Sequence, residues 1–129
     1  MRREHSRVEL HRKLAHKGFP TDLIEDELTR LVEERFQDDD RFAESYIRYR
    51  AGSGYGPVKI KIELNQRGVN ESISGAALDR SAIDWFERGR AVWQKKFGNV
   101  ASDYKERARH ARFLQYRGFT SDQISVLLS

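Results

Sequence analysis

Three consecutive carboxylates, Asp38, Asp39 and Asp40, are the kind of cluster that can hold a divalent cation, and the spaced glycines of Gly52-Ser53-Gly54-Tyr55-Gly56-Pro57 would let a phosphate approach backbone N–H groups. Each has a simpler reading that wins. Acids at the front of a helix cap its free N–H groups and complement its dipole. The glycine segment lacks the Gly-Lys-Ser/Thr ending of a nucleotide-binding loop, so it reads as a linker running into a helix. The histidines, His5, His11, His16 and His110, include no pair four apart and no His-Glu-x-x-His arrangement that would hold zinc on one helix face. Solvated or capping roles are expected of them. With no acid–base pair visible from spacing, the sequence points away from an enzyme and implies no metal and no cofactor.

Positive charge is what remains. The net charge is +4, and all of the excess lies in residues 81–129, with nine basic against five acidic side chains; residues 1–37 and 38–80 are each balanced. An uneven charge of this kind suits an anionic partner, although mixed charge is also ordinary on exposed helices. The candidate contact residues are Lys59 and Arg67, then Lys95 and Lys96, then Lys105, Arg107, Arg109, Arg112 and Arg117. Such side chains reach phosphates or acidic patches without motif or metal. Tyr55 and Tyr116 can stack on bases or on a protein, or serve as hydrophobic staples at helix ends. Phe42, Trp85, Phe86 and Trp93 are assigned to the core.

These residues must be positioned by a chain of 129 residues without cysteine, so neither a disulfide nor a thiolate metal site is available. No apolar run approaches the roughly 20 residues of a membrane span, and the basic N-terminus lacks the apolar stretch of a secretory signal. A cytoplasmic protein with no membrane contact is expected.

The organising signal is a repeat. His11-Arg12-Lys13-Leu14-Ala15-His16-Lys17-Gly18-Phe19, the segment 61–69 (KIELNQRGV) and the segment 111–119 (ARFLQYRGF) end alike, with Gly18, Gly68 and Gly118 spaced 50 residues apart. Leu14, Leu64 and Leu114 precede the glycines by four, and Leu28, Leu78 and Leu128 follow by ten. A repeat of this length means stacked supersecondary units. It also resolves a conflict in Val58-Lys59-Ile60-Lys61-Ile62-Glu63-Leu64, which alternates like a half-buried strand. Ile62 corresponds to Arg12 and Arg112, so the alternation exists in one copy of three; what is shared is a helix with a glycine C-cap, begun here by Pro57. Ile60 and Leu64 then share one side of the helix, while Val58 and Ile62 form a second stripe. Neighbouring repeats are expected to bury both stripes; an exposed second stripe would be a partner site.

The remaining helices follow from caps and periodicity. One starts near Asp38, carries Phe42, Tyr46, Ile47 and Tyr49 on its apolar side and stops at Gly52. After each repeat glycine another begins: Asp22 with Glu25, and Thr120 with Gln123, form capping boxes, and Asn70 is an N-cap. Ala82, Phe86, Gly89, Trp93 and Phe97 keep helical spacing up to Gly98-Asn99, and Asp103 with Glu106 opens the next helix. The expected fold is all-α, tandem three-helix repeats of period 50, divided as 1–37, 38–80 and 81–129. By that period the first repeat's own first helix would start about 12 residues before Met1, so this repeat is expected to lack it.

The segment DDDRFAESYIRYRAGSGYGPVKIKIELNQRGV, residues 38–69, together with ARFLQYRGF resembles the RecX family, bacterial regulators of the RecA recombinase. Asp-Asp-x-Arg-Phe-Ala and Gly-Tyr-Gly-Pro carry the resemblance most specifically. It implies a curved all-helical array that binds the RecA filament on single-stranded DNA, and that mostly inhibits strand exchange, ATP hydrolysis and co-protease activity. A monomer is expected. Contact with the DNA strand is direct or through the filament. Family members usually carry a further helical segment at the N-terminus. A rival class rests on the basic C-terminal third alone, namely a general nucleic-acid-binding helical module without a dedicated protein partner. Salt separates the two, since purely electrostatic DNA binding collapses as salt rises and protein docking keeps a non-ionic part.

Overall fold

The computed structural model describes residues 4–129, which form eight α-helices and, among the described residues, no strand. They are α1 (Arg7–His16), α2 (Thr21–Glu33), α3 (Asp39–Gly52), α4 (Pro57–Gln66), α5 (Glu71–Arg80), α6 (Trp85–Lys96), α7 (Tyr104–Tyr116) and α8 (Ser121–Leu127). The alternating segment is thus α4, with Pro57 in its first turn, where a missing N–H costs nothing. Phe42, Ala43, Tyr46 and Ile47 of α3 meet Ile60 and Leu64 of α4 and Val69 and Ala77 from the α5 side, and Tyr55, Ile73, Leu78, Ile83 and Trp85 close over this core.

Burial of the second stripe on α4 is not what the fold delivers. Val58 is 44% and Ile62 51% exposed, while Ile60 and Leu64 are sealed. The reason lies in α4's partners: α3 and α5 both pack on the Ile60 and Leu64 side, leaving the opposite face to solvent. The core assignment of the aromatics is corrected in the same way. Phe42 is buried, but Trp85 and Trp93 are only partly covered and Phe86 is exposed. Phe86 stands one turn ahead of Gly89, the point on α6 against which Leu127 and Phe119 pack. Tyr49 lies two turns beyond Phe42 and is likewise exposed.

Several helix ends differ from expectation. Asp38, Asn70 and Asp103 are N-caps, and Thr120 with Gln123 forms its capping box. Asp22 and Glu25 do not. Helix α2 already starts at Thr21 behind Pro20, so Asp22 falls inside the first turn, and Glu25 instead pairs with Arg7 at 3.1 Å and His11 at 3.3 Å. Ala82 is outside α6 at φ +54°, because Asp84 caps that helix. Gly52 is the last residue of α3, and the chain turns at Gly54 (φ +93°). The three carboxylates are all engaged: Asp38 accepts from the N–H groups of Asp40 and Arg41, Asp39 from the N–H of Arg7 and the side chain of Gln37, and Asp40 faces Arg80 at 3.8 Å. His110 is not solvated but buried, where its Nδ1 accepts from Trp93 Nε1 at 3.0 Å and its ring stacks on Phe97 at 3.8 Å.

One joint occurs twice and links the repeats. At the first, Ser6 Oγ donates to the Arg67 carbonyl at 2.6 Å; at the second, the N–H groups of Gly56 and Val58 donate to the carbonyls of Arg117 and Gly118 at 2.8 and 2.9 Å. Ser6 and Gly56 are 50 residues apart, as are Arg67 and Arg117. The first turn of one middle helix therefore sits on the glycine corner of the next repeat. Gly68 and Gly118 turn those corners at φ +86° and +98°, values that a side chain resists. The approach is close enough that a Cβ on Gly56 would stand 2.5 Å from the Gly118 carbonyl.

Candidate functional site

The first joint is chemically closed. The Arg67 guanidinium lies 4.8 Å from the Tyr46 ring and 3.6 Å from Glu9, while Arg41 binds Glu4 at 2.8 Å. Beneath it Glu63 accepts two hydrogen bonds from Arg50, at 2.9 and 2.8 Å, and one from Tyr46 at 3.1 Å. Burial pushes the Glu63 carboxyl up, but those hydrogen bonds and the charges of Arg50 and Lys59 together outweigh it and hold the group below its ordinary value of 4.5. Burial raises the Tyr46 phenol, with the Glu63 charge acting in the same direction.

A lowered folded-state value means that Glu63 contributes stability above its unfolded value and loses that contribution as pH falls through the lowered one. Glu63→Gln should cost about 2 kcal/mol at neutral pH, the scale of a charge-assisted hydrogen bond. Urea unfolding at neutral pH and near pH 3 should show the gap to wild type narrowing in acid; a gap that widens would contradict the assignment.

The second joint is open and basic. Arg50, Lys59 and Arg117 surround the Tyr55 ring at 3.9, 5.1 and 5.0 Å, and Lys59 also lies 4.6 Å from the Tyr116 ring. Arg117 is held from both repeats, since its guanidinium is 5.3 Å from Phe113 as well. Behind it runs a cleft of about 400 Å³ between the end of α3 and helices α6 and α7. Gly52-Ser53-Gly54 form one wall; Arg88, Lys95, Lys96 and Arg117 supply four cations, and no acidic residue lines it.

Of the residues singled out in the sequence, Tyr55, Lys59, Lys95, Lys96 and Arg117 are thus gathered at the second joint. Arg67 is not among them, being occupied at the first joint. Lys105, Arg109 and Arg112 lie together on α7 beside Asp103 and Glu106, and Arg109 approaches Glu106 at 3.7 Å, so their charge is partly offset. Arg107 is apart from both groups, facing Leu128 across the α7 and α8 boundary. One residue was missed: Arg88 belongs to the cleft, yet a single arginine inside a helix carries no motif. The stripe of Val58 and Ile62, expected to be buried, meets instead the alternative condition of an exposed apolar face, and Tyr116 is 75% exposed as well. By the period, Ile62 and Tyr116 occupy the places of Arg12 and Gln66, which are hydrogen-bonded across the first joint at 3.4 Å.

Among the described residues, no group of three His, Asp or Glu side chains is placed to hold a metal ion, and no helix is long and apolar enough to cross a membrane. The architecture defines a helical-repeat protein joined through glycine corners. Family models for the first, second and third three-helix domains of RecX match residues 1–31, 38–78 and 82–128 in that order. The chain belongs to the RecX family. It is 52% identical over 129 residues to the regulatory protein RecX of Pseudomonas fluorescens and 53% identical to that of Pseudomonas putida, covering 99% of this chain and 83% of each relative. The crystal structure of RecX from Lactobacillus salivarius superposes with a TM-score of 0.85 at 25% identity, over 98% of this chain and 84% of that one. A second crystal structure, of regulatory protein RecX, shares the fold with a TM-score of 0.81 at 21% identity, over 97% and 64%.

Proposed function

We propose that this protein regulates the RecA recombinase in the cytoplasm by binding the RecA filament on single-stranded DNA, and that binding restrains strand exchange, ATP hydrolysis and co-protease activity. The observation that carries this reading is the match of all three RecX domains, in order, along the array. The second joint offers surface of two kinds. Val58, Ile62 and Tyr116 expose apolar area that a protein partner would cover, and the cleft offers cations to an anionic strand. Binding needs no catalytic group, and the relatives carry the name of regulatory proteins.

Co-sedimentation with RecA filaments, with free RecA and with single-stranded DNA alone tests this. Binding to filaments that exceeds the DNA-only signal and persists at raised salt is the expected result. Capture by DNA alone, vanishing with salt, would favour a general nucleic-acid-binding module. Ile62→Asp refines the test. Because Ile62 is half exposed, the substitution should leave the melting temperature within the ordinary range of surface changes. It should weaken filament binding about tenfold, the scale of removing one side chain from a docked apolar patch. Unchanged filament binding would remove the α4 stripe from the interface.

A further inference from the structure

The two joints fall at equivalent places in the repeat, the first bridged by the Ser6 hydroxyl and the second by the N–H groups of Gly56 and Val58, and comparing them position by position shows that their charged residues differ. At the first joint a small hollow of about 100 Å³ is lined by Glu4, Phe42, Ser45, Tyr46 and Tyr49. Fifty residues on, Glu4 becomes Gly54, Phe42 becomes Val92, Ser45 becomes Lys95 and Tyr46 becomes Lys96, and the hollow becomes the cleft of about 400 Å³. Bulk is lost at three of these positions, where Gly54, Ala91 and Val92 stand in the places of Glu4, Arg41 and Phe42. The Arg41 to Glu4 ion pair, in particular, is replaced by Ala91 and Gly54.

Negative charge is lost or reversed in the same comparison. Asp38 becomes Arg88 and Glu9 becomes Lys59, while the carboxylate of Glu63 gives way to the neutral Phe113. Arg67 therefore has a carboxylate 3.6 Å away, whereas its equivalent, Arg117, has a lysine in that carboxylate's place. Among the described residues, none of Arg88, Lys95, Lys96 and Arg117 has an ion-pair partner. Four like charges around one hollow repel one another, and in such a site an anion is the group that lowers the energy. The site is also prepared for one. Arg117 is held between the Tyr55 and Phe113 rings, and the wall beside it turns at Gly54, whose φ of +93° a side chain resists.

We infer that the cleft between the second and third repeats is a phosphate-binding site, occupied by backbone phosphates of a single nucleic-acid strand. This deepens the filament reading and rests on it for the choice of a strand; the phosphate chemistry rests on the joint comparison alone. Phosphate is favoured over an isolated carboxylate because four cations exceed what one carboxylate would balance, while successive phosphodiesters supply both charge and length. The apolar floor of Ala51, Val92 and Phe113 gives the sugar and base a surface to lie against.

The test uses the full chain carrying Arg88→Glu with Lys95→Glu, both exposed side chains. A matched control carries Lys13→Glu with Arg48→Glu, which lie outside the cleft. Fluorescence anisotropy with a labelled oligodeoxythymidylate should show about tenfold or greater weakening for the cleft variant and less than about twofold for the control. The slope of log affinity against log salt should flatten by roughly 0.7 for each phosphate that the variant no longer neutralises. Pyrophosphate, titrated while the amide signals of Gly52 and Gly54 are followed by NMR, distinguishes sources. Shifts at millimolar pyrophosphate with far tighter oligonucleotide binding fit a strand site; saturation at low micromolar pyrophosphate would mean a free-anion site and overturn the strand assignment. Equal oligonucleotide affinity of the cleft variant and the control overturns the proposal. Thermal melts of both variants separate loss of site from loss of fold, and if the cleft variant melts early, Lys96→Gln replaces it with the same criterion. If wild type shows cleft-dependent DNA binding but does not act on the filament, the filament reading fails and the phosphate site stands.

Discussion

Gly118→Ala is expected to cost about 3 kcal/mol or more, and Gly18→Ala only about 1 kcal/mol, although both glycines hold the same left-handed corner. The strain of placing a side chain at positive φ is common to both. What differs is the neighbour. A Cβ at Gly118 would overlap the Cβ of Lys59 and stand 2.7 Å from its backbone nitrogen, whereas nothing lies within 4 Å of one at Gly18. The helix cannot simply step aside, because the Val58 N–H is bound to the Gly118 carbonyl at 2.9 Å. Gly68→Ala should resemble Gly118→Ala, since its added carbon would overlap Val8. A domain of this size has a total stability of only about 5–15 kcal/mol, so the joint variants should lose a large share of it. Urea unfolding of the three single variants measures this. Equal losses at Gly18 and Gly118 would show that the joint contributes nothing beyond backbone strain.

The joint also explains what the sequence does and does not disclose. Period and glycine spacing identify three corners and settle α4 as a helix against its own alternation, because Arg12 and Arg112 stand where α4 has Ile62. A position that is arginine in two copies faces solvent, so the exposure of Ile62 was legible, and expecting its burial gave local hydrophobicity more weight than the repeat. His110 stands in the place of Leu10 and Ile60, a position that in α4 is fully buried, and its burial could have been inferred likewise. Glu9 opposite Lys59 would have distinguished the neutralised Arg67 from the unpaired Arg117 once the two were known to occupy equivalent joints. That last condition is what a sequence withholds. The contact of Gly56 with Arg117 spans 61 residues and is made by backbone atoms, which leave no side-chain pattern. Charge counting found the basic third of the chain, but the cleft needs Gly54 from the preceding repeat, and no tally by segment unites residues across a joint.

The largest expected effect on function is a preference for the assembled filament over free RecA of about 100-fold or more. Repeats stacked through a recurring joint present an extended surface, and a helical polymer offers the same subunit face again at each step. When one part of such a surface is engaged, binding of another part becomes intramolecular, and linked contacts commonly raise avidity by about 10²–10⁴ without new chemistry. The apolar stripe of Val58 and Ile62 and the cationic cleft are two separable parts of the surface, so each can hold while the other releases. We therefore expect filament binding to survive a salt increase that abolishes binding to bare DNA, and inhibition of filament ATP hydrolysis at fewer than one molecule per RecA protomer. The charge-reversed cleft variant should keep part of the preference and lose its salt-sensitive component, and Ile62→Asp should do the converse. Affinities for filament, free RecA and DNA, measured at one salt concentration by the same method, decide the matter. Equal affinity for free RecA and filament would rule out a multi-subunit contact even if inhibition persists, and would place the whole effect in a single docking event on each protomer.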